Sequence, residues 1–457
     1  MTFPSLHSMR SPLRLSAALL LLAACGSDTP AHEMILGPGI AQDSGVPDSS
    51  VVDAAAPRLD SGVLQPVDTG VAVVVDTGVG SAEAGPAIDA GGVGDGAVDG
   101  AVGDAGSVGI GLEGTGYLPF PTTGMPLDTP NGAWKYHEFP DTWCRAGAKA
   151  GITVFKNPAS KKVMFFFEGG GACFDGQTCL TNPSEVDAAD KTGPTGGVFD
   201  RANAANPLKD WNFVYVPYCT GDTFGGTRSD VTIDGATGPQ KFVGYLNSQA
   251  FLQRVVPTFP DATDVLVTGV SAGGFGASIS VILIQRAFQN VKVKLINDSG
   301  PPMGSPTTAI CLQKKWRETW GFDQSVLKDC GAGCPKPDDF SFDFGVHLAK
   351  TFKGRLSGLI ESAEDGIITG FYGIGNGNCT GILLLTPVSG PDFSKALVLY
   401  RDTVKGLSPT FGTYFPPGTQ HTWLMGASFY TGAIGSTKLV DWVADIVNDK
   451  GTKHVGL

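Results

Sequence analysis

The sequence predicts an α/β domain built on a mostly parallel central sheet with helices on both faces. Three observations carry this. Short apolar runs rich in Val, Ile and Phe recur at wide spacing from residue 161 onward. Each run ends in a Gly-containing loop, and amphipathic or apolar stretches of helical length lie between them. Continuous apolar strands separated by helices are what a sheet covered on both faces requires.

The runs are KKVMFFFEGGG (161–171), WNFVYVPYCTGD (211–222), ATDVLVTGVSAGG (262–274) and VKVKLINDSG (291–300), with LSGLIESAE (356–364) as a later strand. FGASISVILIQRAF (275–288), FGVHLAKTF (344–352) and a closing stretch near 439–447 read as helices. Residues 111–457 are enough for one such domain with insertions. In open α/β sheets, sites form at the carboxyl ends of the strands, and the motifs of interest fall there.

What precedes residue 111 is different in kind. Residues 12–24 read PLRLSAALLLLAA behind two arginines, Arg10 and Arg14. The apolar core is short for a membrane span and suits an export signal. It ends in Leu22-Ala23-Ala24-Cys25, which resembles a bacterial lipobox. That resemblance implies acylation of Cys25, and Gly26 after it implies the outer membrane or cell surface. Residues 26–110 hold thirteen Asp or Glu, one Arg and no aromatic residue, with DSGV or DTGV repeated from Asp43, Asp60, Asp68 and Asp76. Such a segment buries too little surface to offset chain entropy and is expected to be a disordered tether. GGVGDG at Gly91 resembles one calcium-binding nonapeptide unit, but a single copy builds no solenoid. The tether carries a charge as large as the −12 of the whole chain, so the remainder is near neutral. No basic cluster points to nucleic acid.

Of nine cysteines, Cys25 stands alone and eight fall in the domain. An even number in an exported chain implies up to four disulfides, with Cys173 and Cys179 placed for a small staple. Cys330 and Cys334 also have zinc-ligand spacing, but no matching pair follows.

Gly269-Val270-Ser271-Ala272-Gly273 fits G-x-S-x-G between a strand and a helix. A nucleophile on that sharp turn needs small neighbours, and the helix start places the Ala272 N–H beside a developing oxyanion. Upstream, Gly169-Gly170-Gly171 follows the FFF strand, the position that supplies further oxyanion donors. Six histidines are available as base. His7 and His32 precede the domain, His137 precedes the sheet, and His454 is expected to be frayed. His421, in the loop-like YFPPGTQHTW, is favoured over His347, which sits in a helix-like stretch. For the acid, Asp365 is favoured over Asp298 by chain order, with Glu361 and Glu364 as nearby substitutes. This combination predicts an α/β-hydrolase-like fold.

Taken in order, FFFEGGGAC, VYVPYCTGD, GVSAGGFGA, LINDSGPP, IESAEDGIITGFY and the His421 loop resemble the pectin acetylesterase family, which includes the Notum-type carboxylesterases. The resemblance covers most of 130–430. It implies a Ser271, Asp365, His421 triad and oxyanion donors at Gly170, Gly171 and Ala272. Plant members carry Trp after the third Gly, where this chain has Ala172, so an aromatic wall near the scissile ester is missing. The expected reaction is two-step ester hydrolysis needing no metal or organic cofactor, by a monomer. An acetyl ester of a polysaccharide is the first expected substrate. A lipid or polyester substrate, and a catalytically dead surface-binding protein, are the alternatives.

Overall fold

The computed structural model describes residues 109–377, 379 and 386–457. Cys25, the expected export signal and all but the last two residues of the expected tether lie outside them. By Gly111, whose N–H donates to the Gln289 carbonyl, the chain is docked on the domain.

Nine strands form one sheet: β1 (Trp134–Trp143), β2 (Lys149–Phe155), β3 (Lys162–Phe167), β4 (Asn212–Val216), β5 (Asp264–Val270), β6 (Lys294–Asp298), β7 (Ser357–Ile360), β8 (Phe411–Tyr414) and β9 (His454–Val455). Their order is β1-β2-β4-β3-β5-β6-β7-β8-β9. β2 runs against both neighbours, and every pairing from β4 to β9 is parallel. The expected mostly parallel sheet is therefore present, with an antiparallel edge the sequence reading did not include. The four apolar runs first identified are β3, β4, β5 and β6. His454 is not frayed: it pairs with Thr413 in register, and its Nδ1 lies 3.1 Å from the Thr413 hydroxyl. The parallel ladder to β8 overrides the tendency of chain ends to loosen.

The strands are apolar throughout because both faces are covered. In β3, Val163, Phe165 and Phe167 enter one core while Met164 and Phe166 enter the other. Val265 and Val267 of β5 join the first, Leu266 and Val270 the second, as the two-residue period of a strand dictates. Helices α1 (Gly244–Thr258) and α2 (Ala272–Ala287) cover the first face. The closing helix, Leu439–Val447, covers the second through Val440, Trp442, Val443 and Ile446. Between β6 and β7 the chain inserts α3 (Ile310–Trp320) and α4 (Ser341–Thr351). No helix among the described residues is long and apolar enough to cross a membrane.

The eight domain cysteines form four disulfides: Cys144–Cys219, Cys173–Cys179, Cys311–Cys379 and Cys330–Cys334. Cys330 and Cys334 are thus bonded to each other, which removes the thiolates a zinc site needs.

Candidate active site

β5 stops at Val270, and α2 starts at Ala272. Ser271 alone makes the turn, at φ 57° and ψ −124°. A non-glycine residue there is strained, and the surroundings hold it. Its N–H donates to the Asp298 carbonyl (2.8 Å), and its own carbonyl accepts from Gly274 N–H (2.8 Å). Glycine at 273 is a packing requirement, because a Cβ there would collide with the Phe167 carbonyl of β3.

β3 leads into Gly169-Gly170-Gly171. Gly171 adopts φ 78°, open to glycine at little cost. Gly171, Ala172, Ser271 and Ala272 line one pocket. None of the N–H groups of Gly170, Gly171 and Ala272 donates to a backbone acceptor in the described turns and loops. As the first residue of α2, Ala272 also has no acceptor inside the helix.

Two loops bring His421 and Asp365 together. After β7, residues 361–366 are laced onto the segment after β8: Ala363 N–H donates to the Pro416 carbonyl (2.8 Å), Glu364 to Gly418 (3.0 Å) and Gly366 to Thr419 (3.0 Å). The Trp423 indole N–H adds a bond to the Ser362 hydroxyl (3.0 Å). This lacing sets His421 Nδ1 2.8 Å from Asp365 Oδ2. Asp365 is fully buried, and its other oxygen accepts the N–H groups of Ile367 (2.8 Å) and Ile368 (2.9 Å). With Nδ1–H donated to Asp365, the lone pair of His421 is on Nε2. That atom is buried and has no hydrogen-bond partner among the described residues, Ser271 Oγ included. Catalytic hydrogen bonds are often long before substrate binds.

Asp298 is not paired with the imidazole. Its Oδ2 accepts the N–H groups of Trp423 and Leu424, both at 2.8 Å, and its Oδ1 accepts the Ser299 hydroxyl (2.9 Å). It clamps the backbone just after His421. Burial pushes its carboxyl up to about 6, opposed by those N–H donors, the Ser299 hydroxyl and His421. Glu361 is fully buried, and neither of its oxygens has a partner among the described residues. Burial first, then the charges of Asp365 and Asp298, hold it well above the usual carboxylate range. Glu364 is exposed. His347 is committed to Tyr117 Oη at 2.7 Å and His137 to the Thr129 hydroxyl at 2.8 Å.

The pocket beside Ser271 has a volume of about 800 Å³ including its open mouth, and its lining is almost wholly apolar. Phe275, Trp316, Trp320, Phe340, Phe344 and Phe371 supply much of the wall. Four of these come from the insertion that carries α3 and α4, a contribution not read from the sequence. The Trp316–Trp320 pair, four residues apart and stacked at 5.9 Å, is the signal that marks one face of α3.

The pectinacetylesterase family model matches residues 136–327, which include Gly170, Gly171, Ser271 and Ala272 and stop short of Asp365 and His421. The palmitoleoyl-protein carboxylesterase NOTUM of Drosophila melanogaster is 27% identical over 233 residues, 47% of this chain and 34% of that protein. Notum2 of Xenopus laevis, another palmitoleoyl-protein carboxylesterase, is 29% identical over 239 residues, 47% of this chain and 48% of that protein. The match thus spans between a third and a half of these relatives' length. A crystal structure of the Wnt deacylase Notum from Drosophila superposes with a TM-score of 0.54 at 21% identity, covering 70% of this chain and 95% of that one. The fold is accordingly α/β-hydrolase-like. Residues 136–327 thus match the pectinacetylesterase family model, and the chain is similar to Notum-type carboxylesterases over about half its length.

Proposed function

We propose that the chain is a serine carboxylesterase whose substrate is an ester of an apolar acyl chain several carbons long. The observation that carries this reading is the aromatic-walled pocket beginning at Ser271. An acetyl group would reach little of that aromatic wall. A longer chain gains roughly 0.8 kcal/mol for each CH₂ it buries. Ala172, where plant members of the family typically carry Trp, leaves the entrance open, and the Notum relatives are palmitoleoyl-protein carboxylesterases, which agrees with a lipid acyl group. The acetylated polysaccharide expected from the wider family is therefore the second choice.

In this reading Ser271 Oγ attacks the ester carbonyl and passes its proton to His421 Nε2. Asp365 fixes the tautomer and stabilises the imidazolium. The oxyanion forms against the N–H groups of Gly170, Gly171 and Ala272. The leaving alcohol takes its proton from His421, and water releases the acid by the same route. Lipidation at Cys25 would hold the enzyme at the outer membrane or cell surface, and the four disulfides suit an oxidising compartment. Release of Cys25→Ser from the membrane fraction checks the anchor.

The test is a series of p-nitrophenyl esters from acetate to hexadecanoate. kcat/KM should rise with chain length until the pocket is full, and Ser271→Ala should abolish turnover. A preference for acetate returns the polysaccharide reading. Failure of the wild type to react with a fluorophosphonate leaves a binding protein.

A further inference from the structure

The segment after the Cys173–Cys179 disulfide carries Asn182, a side chain only 6% exposed that no step above uses. Its Nδ2 donates to the Gly170 carbonyl at 2.6 Å. Gly170 C=O and Gly171 N–H belong to one peptide unit. That unit is planar and trans, so the two bonds point in opposite directions. Whatever grips the carbonyl therefore aims the N–H.

Asn182 is itself held. The Arg145 guanidinium, 7% exposed, donates to the carbonyls of Cys179 (2.6 Å), Asn182 and Pro183 (2.9 Å) and to Gln240 Oε1 (2.7 Å). It thereby closes the backbone on both sides of Asn182. The disulfide joins the residue two beyond Gly171 to the same segment. Gly171 alone would not stay fixed, because glycine has the widest backbone freedom of any residue.

We infer that Asn182 is a positioning residue that sets the Gly170–Gly171 peptide so that the Gly171 N–H faces the oxyanion formed on Ser271. The inference rests on the oxyanion reading given above. Asn182 acts through the peptide and touches no substrate. Loss of its amide should therefore weaken charge stabilisation in the transition state and leave ground-state binding in the apolar pocket unchanged.

The test compares Asn182→Ala and the isosteric Asn182→Asp with the full-length wild type, using a p-nitrophenyl ester and an alkylboronic acid that forms a tetrahedral adduct on the nucleophile. Asn182→Ala should lose about 10- to 100-fold in kcat with KM within twofold, part of the 10²- to 10³-fold that loss of a whole donor costs. Boronate affinity should fall by a similar factor. Asn182→Asp, which sets a carboxylate against the Gly170 carbonyl, should lose more than Asn182→Ala. If both folded variants keep kcat and boronate affinity within twofold, or if only KM rises, the inference is overturned while the esterase reading stands. If wild-type turnover survives Ser271→Ala, the oxyanion reading falls and this inference with it.

Discussion

Asp365, Asp298 and Glu361 are buried carboxyls, Glu361 feeling the charge of the other two, and their partners separate their roles. Asp365 accepts Nδ1–H, so Asp365→Asn should leave the protein folded and lower kcat on the order of 10³- to 10⁴-fold, as loss of the orienting acid does elsewhere. Asp298 accepts two backbone N–H groups of the His421 loop. Asp298→Asn keeps an oxygen for both N–H groups but removes the charge and sets an NH2 against the Ser299 hydroxyl, so it should cost about 1–3 kcal/mol of stability, with a smaller loss of kcat. Thermal melting and kcat of both variants decide the assignment, and a nearly inactive Asp298→Asn beside an active Asp365→Asn reverses it. Glu361 gives a pH signature. Its folded carboxyl holds a proton more tightly than the unfolded chain does. Its stabilising contribution is therefore complete below the unfolded value near 4.5 and is lost as pH rises through the raised folded one. Relative to Glu361→Gln, the wild type should lose stability steadily from about pH 4.5 upward. Parallel profiles of melting temperature against pH would show that Glu361 ionises in the fold as freely as in water.

At the scale of elements, the turn from β5 to α2 is fixed by contact with β3. Gly273→Ala drives a methyl group into the Phe167 carbonyl and should cost about 1–3 kcal/mol or more, with activity lost alongside stability, read by melting and ester assay. This turn was legible in the sequence because its chemistry is local: strand, G-x-S-x-G and helix lie within one window. The α4 helix and the closing helix were legible for the same reason. The antiparallel edge was not, since β1 mixes Lys, His, Glu and Asp among its aromatics and shows no clean alternation. Asp365 and His421 lie 56 residues apart. Chain order suggested their pairing, but the lacing of 361–366 onto 416–420 is a tertiary fact that no local pattern encodes. The clamp by Asp298 and the grip of Asn182 on Gly170 are contacts of the same long-range kind. Both depend on side chains whose default reading in a loop is a turn.

For the molecule as a whole, the four disulfides close loops of unequal length. Sequence separations of 75 and 68 for Cys144–Cys219 and Cys311–Cys379 imply about 4 kcal/mol each from restriction of the unfolded chain. The separations of 6 and 4 for the other two imply about 2 kcal/mol. Cys144→Ser/Cys219→Ser should therefore lower the melting temperature more than Cys330→Ser/Cys334→Ser. Asp298 has a consequence at this scale. Asp298 holds Ser271 through its carbonyl and the His421 loop through its carboxylate, and it does so from a strand in the middle of the sheet. Neither group is free to drift without the other or without the sheet. The site should thus have no separate softening point: on heating, esterase activity and the near-ultraviolet signal of the aromatic core should vanish in a single transition.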